Sequence, residues 1–579
     1  MALGVKSMLA NTAYIACALL FALQTLAQAA GERSSTTAGA NSSNDLQRPG
    51  APPTHVEDTR GELDPQALEA AGLHIGEIVI DNGDVFDPSI PAENHAIFRL
   101  ANRLHIETRP DVIRDQLLFK PGDLYSANLT RESERILRAN DYLFDARVEP
   151  VRIHDGLVDL VVHTKDVWTL NPGVNFGRSG GENSSGFQFE ESNLLGTGRS
   201  IMLGYDQDVD RSSRQIRYTD PHFRGTWNEL KLSYEDNSDG KLRELSYKQP
   251  FYSLATVRAG GAGYRDWDRI DSRYNLGEVV DKFRHLEQHV EGSAGWGSKV
   301  ANSNWVRRIS IGVAYDSDEF QTIVDPLAAT SLPEDRTLAY PFVDIELLQD
   351  AFEERRNQDQ IERTEDFYAG PYLRARLGYA STAWGSDRDA VVMGLKAGTA
   401  IEHGDEHKYS LLIESQGGAR YERGTITNAL YAAEARYYWR VSQSQLFFAS
   451  LSGTISKNLD QDRQVLLGGD SGLRGYPLRY QDGSSRALFT LEQRYYTKYY
   501  LFRLFHVGGA VFFDMGRTWG RGTISGPTEG LLKDVGVGLR FGSSRSAFGN
   551  VIHVDLAFPL DGDSSIDKLQ LVVETKKSF

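Results

Sequence analysis

The chain has 579 residues, a formal net charge of −16 and a sequence pI of about 5.4. That acidic balance excludes nucleic acid as the partner, because phosphate binding calls for a basic patch. Mean hydropathy is −0.41, and only the N-terminus approaches the ~18 or more consecutive apolar residues of a membrane helix, which excludes a helical membrane protein. A strand-built one escapes that test, because the lumen-facing half of each barrel strand is polar.

Residues 1–29 read as a secretory signal peptide. Lys6 supplies the positive start, Met8 to Leu26 the apolar stretch, and Ala27-Gln28-Ala29 the cleavage pattern. Cys17, the only cysteine, lies within the apolar stretch. Lipidation there fits poorly, since apolar residues continue to Leu26. A chain cut after Ala29 contains no thiol, which rules out disulfides and cysteine metal sites and is compatible with an oxidising periplasm. Residues 30–73 are expected to be a disordered leader, since Gly31 to about Leu63 is rich in Ser, Thr, Asn, Gly and Pro and almost free of large apolar residues.

Residues 74–166 are expected to form one small α+β domain. His74–Ile80 alternates like a strand and ends at Asp81-Asn82-Gly83. Glu93–Leu104 has helical spacing, with Ile97, Leu100, Ala101 and Leu104 on one face. A second helical run follows Thr108-Arg109-Pro110-Asp111 and carries Val112, Ile113, Leu117 and Phe119. After the turn Pro121-Gly122-Asp123, Asn128–Ala139 places Leu129, Ile136 and Leu137 inward. Two strands, Ala146–Ile153 and Leu157–Thr164, meet at His154-Asp155-Gly156.

From about Val167 to Phe579 the period becomes two. Asp514 shares a face with Gly508, Ala510, Phe512 and Gly516, opposite Val507, Val511, Phe513 and Met515. Val535, Val537, Leu539 and Phe541 alternate with Asp534, Gly536, Gly538 and Arg540. Ile552, Val554, Leu556 and Phe558 likewise alternate with His553, Asp555 and Ala557. One apolar face and one polar or small face make a barrel wall. Aromatic clusters such as Tyr437-Tyr438-Trp439 favour a membrane setting. About fifteen candidate strands precede residue 467 and five follow the loop there, while Asp350–Asp366 reads as loop.

That loop, Leu467 to Pro477, is dense in glycine and carries Arg474. Glycines let it fold back on itself, and Arg474 is a fork of donors borne on it. Glu492 and Asp514 lie on the following strands. The motif running from Gly468 to Tyr476, together with Phe512-x-Asp514-x-Gly516, resembles the outer-membrane assembly and translocation barrels of the bacterial surface antigen superfamily. Residues 74–166 in turn resemble the POTRA domain of that family, apart from a long excursion at Gly83–Arg109. The resemblance implies an α+β POTRA-like periplasmic domain followed by an all-β transmembrane antiparallel barrel of sixteen strands, against a sequence count of about twenty. It also implies a lumen loop anchored through Arg474, Gly475, Tyr476, Glu492 and Asp514, and a C-terminal Phe579 acting as the signal for barrel assembly.

Other chemistry is thin. Gly469-Asp470-Ser471-Gly472 looks like the nucleophile loop of trypsin-like proteases, but Leu473 follows where that family has Gly. His403-Gly404-Asp405-Glu406-His407 reads as a solvated hairpin turn rather than a metal site, and Gly260-Gly261-Ala262-Gly263 as a Gly-rich strand. No enzyme, cofactor or metal is expected. The resemblance implies client polypeptides and outer-membrane lipid as partners, in assembly or translocation. The alternative is a two-partner-type secretion pore or a passive outer-membrane channel.

Overall fold

A computed structural model describes residues 63–576, apart from 92–93, 357–363, 404–408, 502–504, 523–529, 544–550 and 565. The expected signal peptide, most of the expected leader, His407 and Phe579 therefore lie outside the described residues. No described helix is long and apolar enough to cross a membrane. The chain builds a three-stranded sheet with short helices, then a closed barrel of twenty strands.

In the small domain, α1 (Pro65–Ala70) begins at Asp64, whose side chain accepts from the Gln66 N–H, with Pro65 at the first helical position. Strand β1 (His74–Gly83) lies parallel to β3 (Leu157–Asp166), and β2 (Leu143–His154) antiparallel to it, in the order β1-β3-β2. Asp155 and Gly156, at φ 48° and 77°, make the left-handed pair that a two-residue hairpin needs. Helices α2 (Ala96–Leu104), α3 (Pro110–Arg114) and α4 (Ala127–Arg138) complete the domain. Ile75, Ile113, Leu137, Leu143, Leu160 and Val162 form its buried core.

Two expectations are corrected here. The leader does not run to residue 73: Leu68 is buried in the domain core, and Leu63 and Leu73 pack against it. Three leucines spaced among polar residues are enough for a short helix once a core exists to receive them. Helix α2 also seats differently from its periodicity. Phe98 stacks on Phe86 at 4.4 Å, and Asn102 bonds the Phe86 backbone through its N–H (3.1 Å) and C=O (2.7 Å). Leu100 and Leu104 are left 51% and 63% exposed.

The barrel opens with β4 (Leu170–Ser179), β5 (Glu182–Glu191), β6 (Ser200–Gln207), β7 (Ser212–Asp220), β8 (Glu229–Asn237) and β9 (Gly240–Gln249). Longer strands follow: β10 (Arg258–Asn275), β11 (Glu278–Lys299), β12 (Trp305–Gln321) and β13 (Arg336–Gln349). Next come a side hairpin, β14 (Phe352–Arg356) and β15 (Thr364–Tyr368), then β16 (Tyr372–Ala380), β17 (Ala390–His403), β18 (Tyr409–Glu422), β19 (Thr425–Ser442) and β20 (Gln445–Lys457). Short β21 (Val465–Leu467) and β22 (Gln481–Gly483) frame the Arg474 loop. The wall ends with β23 (Ser485–Leu501), β24 (Phe505–Trp519), β25 (Leu532–Ser543), β26 (Val551–Pro559) and β27 (Gln570–Lys576). Fifteen wall strands precede the loop and five follow it, which corrects the sixteen implied by resemblance. Every sequence candidate finds an antiparallel neighbour, so none is surplus. Asp350–Asp366 is corrected too: it contains β14 and part of β15.

Parity sorts the side chains. Ile309, Ile311, Val313, Val511, Val537 and Leu539 are exposed on the outer face, while Asp514, Asp534, Arg540 and Asp555 are buried inside. Closure is uneven. β26 pairs with β27 from Val551–Lys576 to Ala557–Gln570, but β27 meets β4 only at Val573–Arg178 among the described residues.

The small domain grips the barrel at several places, among them the Leu254 N–H between β9 and β10, which donates to Glu132 on α4 at 2.6 Å. Arg138 on α4 holds the β2 carbonyl of Ala146 at 3.0 Å and reaches Asp366 at 2.6 Å and Glu354 at 2.8 Å on the β14–β15 hairpin. Arg135 lies 4.0 Å over the Phe352 ring. On the other side, Asn193 in the β5–β6 turn donates to the Thr108 hydroxyl at 2.7 Å.

Candidate functional site

The loop between β20 and β23 turns back into the barrel. Gly472 takes the left-handed φ of +112°, and a Cβ there would meet Leu488 at 2.6 Å. The Gly469 N–H donates to the Pro477 C=O at 2.9 Å, and the Leu473 N–H to the Gly468 C=O at 3.1 Å, so the loop is knitted to itself. The Ser471 hydroxyl is spent on the Gly468 backbone, donating to its C=O and accepting from its N–H. That use closes a turn and gives the protease reading no imidazole base. Leu467, Leu473, Tyr476, Tyr480 and Leu532 pack beneath the loop as a small core.

Arg474 projects from this knot onto the inner face of β23–β26. Its Nε and Nη2 bind Asp514 as a fork, at 2.7 and 3.0 Å. Its Nη1 donates to Glu492 at 3.0 Å and to Asp555 at 3.3 Å. The guanidinium lies 3.3 Å over the Phe512 ring, and a side chain at Gly536 would collide with that ring. Arg474 is 6% exposed, Glu492 5% and Asp514 0%, so water does not share these bonds. A planar fork against a carboxylate is directional as well as strong.

The neighbours of Arg474 are tied as firmly. The Gly475 N–H donates to Asp534 at 3.1 Å, and a Cβ at Gly475 would sit 2.7 Å from the Asp534 Cβ. The Tyr476 hydroxyl donates to the C=O of Lys533 at 2.7 Å and of Asp561 at 3.2 Å. The structure thus brings together Arg474, Gly475, Tyr476, Glu492 and Asp514; Phe579 lies outside the described residues.

Sequence reasoning missed four members. Asp534, Asp555 and Arg540 complete the cluster, with Arg540 bound to Asp555 and 3.5 Å from Glu492. Arg494 also bonds Glu492, at 3.1 Å. The signal was present: alternation already put Asp534, Arg540 and Asp555 on the polar faces of their strands. Their convergence on one arginine needed the sheet order. A further contact was also unread: Arg479 binds Asp210 at 2.7 Å across the mouth of the barrel, where the Tyr274 hydroxyl also reaches Asp210 at 2.9 Å.

The opposite wall, from β10 to β19, borders a cavity of about 920 Å³ lined by Arg269, His285, Glu287, Asp318 and Arg376 among others. His285, Glu287 and Asp318 bring ligand atoms within 4.8 Å of one another. Arg269 already binds Glu287 at 2.8 Å and His285 at 2.9 Å, and Arg336 binds Asp318 at 3.1 Å. These carboxylates are balanced by arginines, a poor setting for a cation.

Residues 105–166 match a family model described as POTRA, surface antigen variable number repeat. The match begins after most of the Gly83–Arg109 excursion. Among solved structures, BamA from Haemophilus ducreyi lacking POTRA domains 1–3 is similar at 14% identity and TM-score 0.37, over 86% of this chain and 84% of that one. CdiB from Acinetobacter baumannii is similar at 13% identity and TM-score 0.44, over 87% and 73%. CdiB from Escherichia coli is similar at 11% identity and TM-score 0.42, over 87% and 76%. No curated protein sequence matches.

Proposed function

We propose that this chain is an outer-membrane protein assembly or translocation factor, with its POTRA-like domain in the periplasm handing extended client polypeptides to the barrel. The role is mechanical rather than enzymatic. The observation that carries it is the join itself: a POTRA-matching domain clamped to a closed barrel whose internal loop is tied to β23–β26 through Arg474. A passive channel needs neither a client-binding domain nor such a tether.

Client capture is assigned to strand addition, in which unpaired edge groups template an extended segment. Edge β2 is poorly suited. The Ala146 C=O is taken by Arg138, the Val148 N–H by Glu134, and Pro150 with an adjacent bulge blunts the remainder. The outer edge of β1 from Ile78 to Gly83 has no backbone partner among the described residues and is the docking edge. Release into the membrane is assigned to the β4–β27 seam, which is paired at a single position among the described residues.

The seam also separates this reading from a secretion pore. A disulfide joining Arg178→Cys to Val573→Cys, in a Cys17→Ser background, is expected to stop client insertion into liposomes and to be reversed by reductant. Insertion undiminished by the closed seam removes the assembly role. Secretion of a soluble client through the locked barrel establishes the pore.

A further inference from the structure

We infer that the excursion between β1 and α3 is a lipid-contact element: α2 lays its exposed leucine face on the phospholipid headgroup region beside the barrel. This rests on reading the barrel as membrane-embedded, and the test below separates the two.

The first observation is the face itself. Leu100, Leu104 and Ile106 are 51%, 63% and 50% exposed, and Ile90 in the same excursion is 43% exposed. The helix is not waiting for a place in its own domain, because Phe98 and Asn102 already fasten its other side to Phe86. What remains is a rigid platform with its apolar side outward.

Charge identifies the occupant. In a chain of net charge −16, no carboxylate occurs from Asn94 to Ile106. Arg99 and Arg103 stand directly before Leu100 and Leu104, are exposed, and flank the leucine face one residue step round the helix, Arg99 also donating to Asn94. Arginines bordering leucines on a short helix are the composition of an element lying at headgroup depth, with guanidinium groups on phosphates and apolar side chains just below. A client or accessory protein gives no reason for that acid-free stretch.

Position agrees. The residue after α2, His105, binds Asp166 at 2.8 Å with both side chains almost fully buried, and Asp166 also takes the Thr108 N–H and hydroxyl at 2.8 Å. Asp166 stands just ahead of β4. Arg109 donates to the Leu195 C=O in the β5–β6 turn at 3.1 Å. The end of α2 is thus pinned at the barrel rim, by a turn whose Leu195 is exposed and leads into outward Phe189 and Phe187 on β5. The leucine face extends the apolar belt of the barrel at its edge.

The test uses the full chain with Cys17→Ser and one further substitution, L100C or L104C, labelled with an environment-sensitive fluorophore. V79C and I153C, exposed on the sheet of the same domain, are the controls, and L539C on the outer wall reports the barrel. Each protein is placed in phosphatidylcholine nanodiscs with and without phosphatidylglycerol. Labels at 100 and 104 are expected to emit blue-shifted light, to be quenched by lipid bearing a headgroup-proximal nitroxide, and to resist aqueous iodide, unlike those at 79 and 153. Adding R99E and R103E is expected to abolish the extra quenching that phosphatidylglycerol brings. Quenching at 539 with water-like emission at 104 overturns the inference alone and leaves the face for a protein. Water-like emission at both overturns the membrane reading beneath it. Equal quenching with and without phosphatidylglycerol removes the arginines from the account.

Discussion

Two walls of one lumen use the same ions to different ends. On β23–β26, Arg474, Arg540, Glu492, Asp514 and Asp555 are all at most 6% exposed and bonded to one another. On β10, β11 and β16, Arg269, Glu287, Arg376 and Glu291 pair as closely, at 2.7–2.8 Å, but Glu287, Arg376 and Glu291 are only half-buried, beside an open cavity. Contact distance is alike in both; access to water is not. In water a pair is screened and contributes little, whereas in a closed cluster each charge depends on its partners. The first wall is a fastener and the second a wet lining.

The comparison breaks most readily at Arg474. Arg474→Ala takes from Asp514 the guanidinium that forks onto it, while Glu492 and Asp555 keep Arg494 and Arg540, and losing one partner of a buried cluster costs about 3–5 kcal/mol. The expected result is a loop open to protease and a loss of client handling, with the barrel still heat-modifiable on gels. Arg474→Lys restores part, since a single ammonium cannot span Asp514 as a fork. If Arg474→Ala behaves as wild type, the two walls are equivalent after all.

Gly475→Val tests the same dock without touching a charge. Its side chain has no room beside Asp534, so overpacking of about 1–3 kcal/mol is expected. Faster hydrogen exchange across 468–476 would register the displaced loop, and an unchanged exchange pattern would rule out close packing there.

On the wet wall, Arg376→Ala is expected to change stability by no more than about 1 kcal/mol, because water replaces its bonds to half-buried Glu291 and Arg374 still pairs with Asp344. Its effect belongs instead in ion selectivity of planar-bilayer currents, shifted toward cations by the loss of a positive charge. A large drop in melting temperature would make this wall a fastener as well.

The smallest effect is expected in the small domain. The Glu77 N–H, joined by Arg152 and His154, holds the Asp159 carboxyl down at about 2. A depressed carboxyl contributes stability above its ordinary value near 4, and that contribution fades as pH falls from about 4 to about 2. Hydrogen exchange in β1 of the full chain should rise over that window, and Asp159→Asn should flatten the rise. A variant with the same pH profile as wild type would detach Asp159 from it.

Much of this molecule is written locally. A period of two assigns inner and outer faces to every strand whatever its neighbours are, so the barrel and the lumen side of Asp514 were readable before any fold was known, while the strand number stood open between sixteen and about twenty until the sheet order settled it. The Gly-rich loop and its arginine were equally legible, because tight turns and a long cationic fork are properties of the residues themselves. Sheet order was not. Glu492 and Asp514 were named, while Asp534 and Asp555 lay unread on the same face. Four strands had to stand side by side before Arg474 and the Gly475 N–H could join them. Helix α2 shows the same division from the other direction. Its spacing fixed that Leu100 and Leu104 share a side, but a helix can be fastened by either side. Phe86, brought alongside by the tertiary fold, took Phe98 and Asn102 and left the leucines facing out.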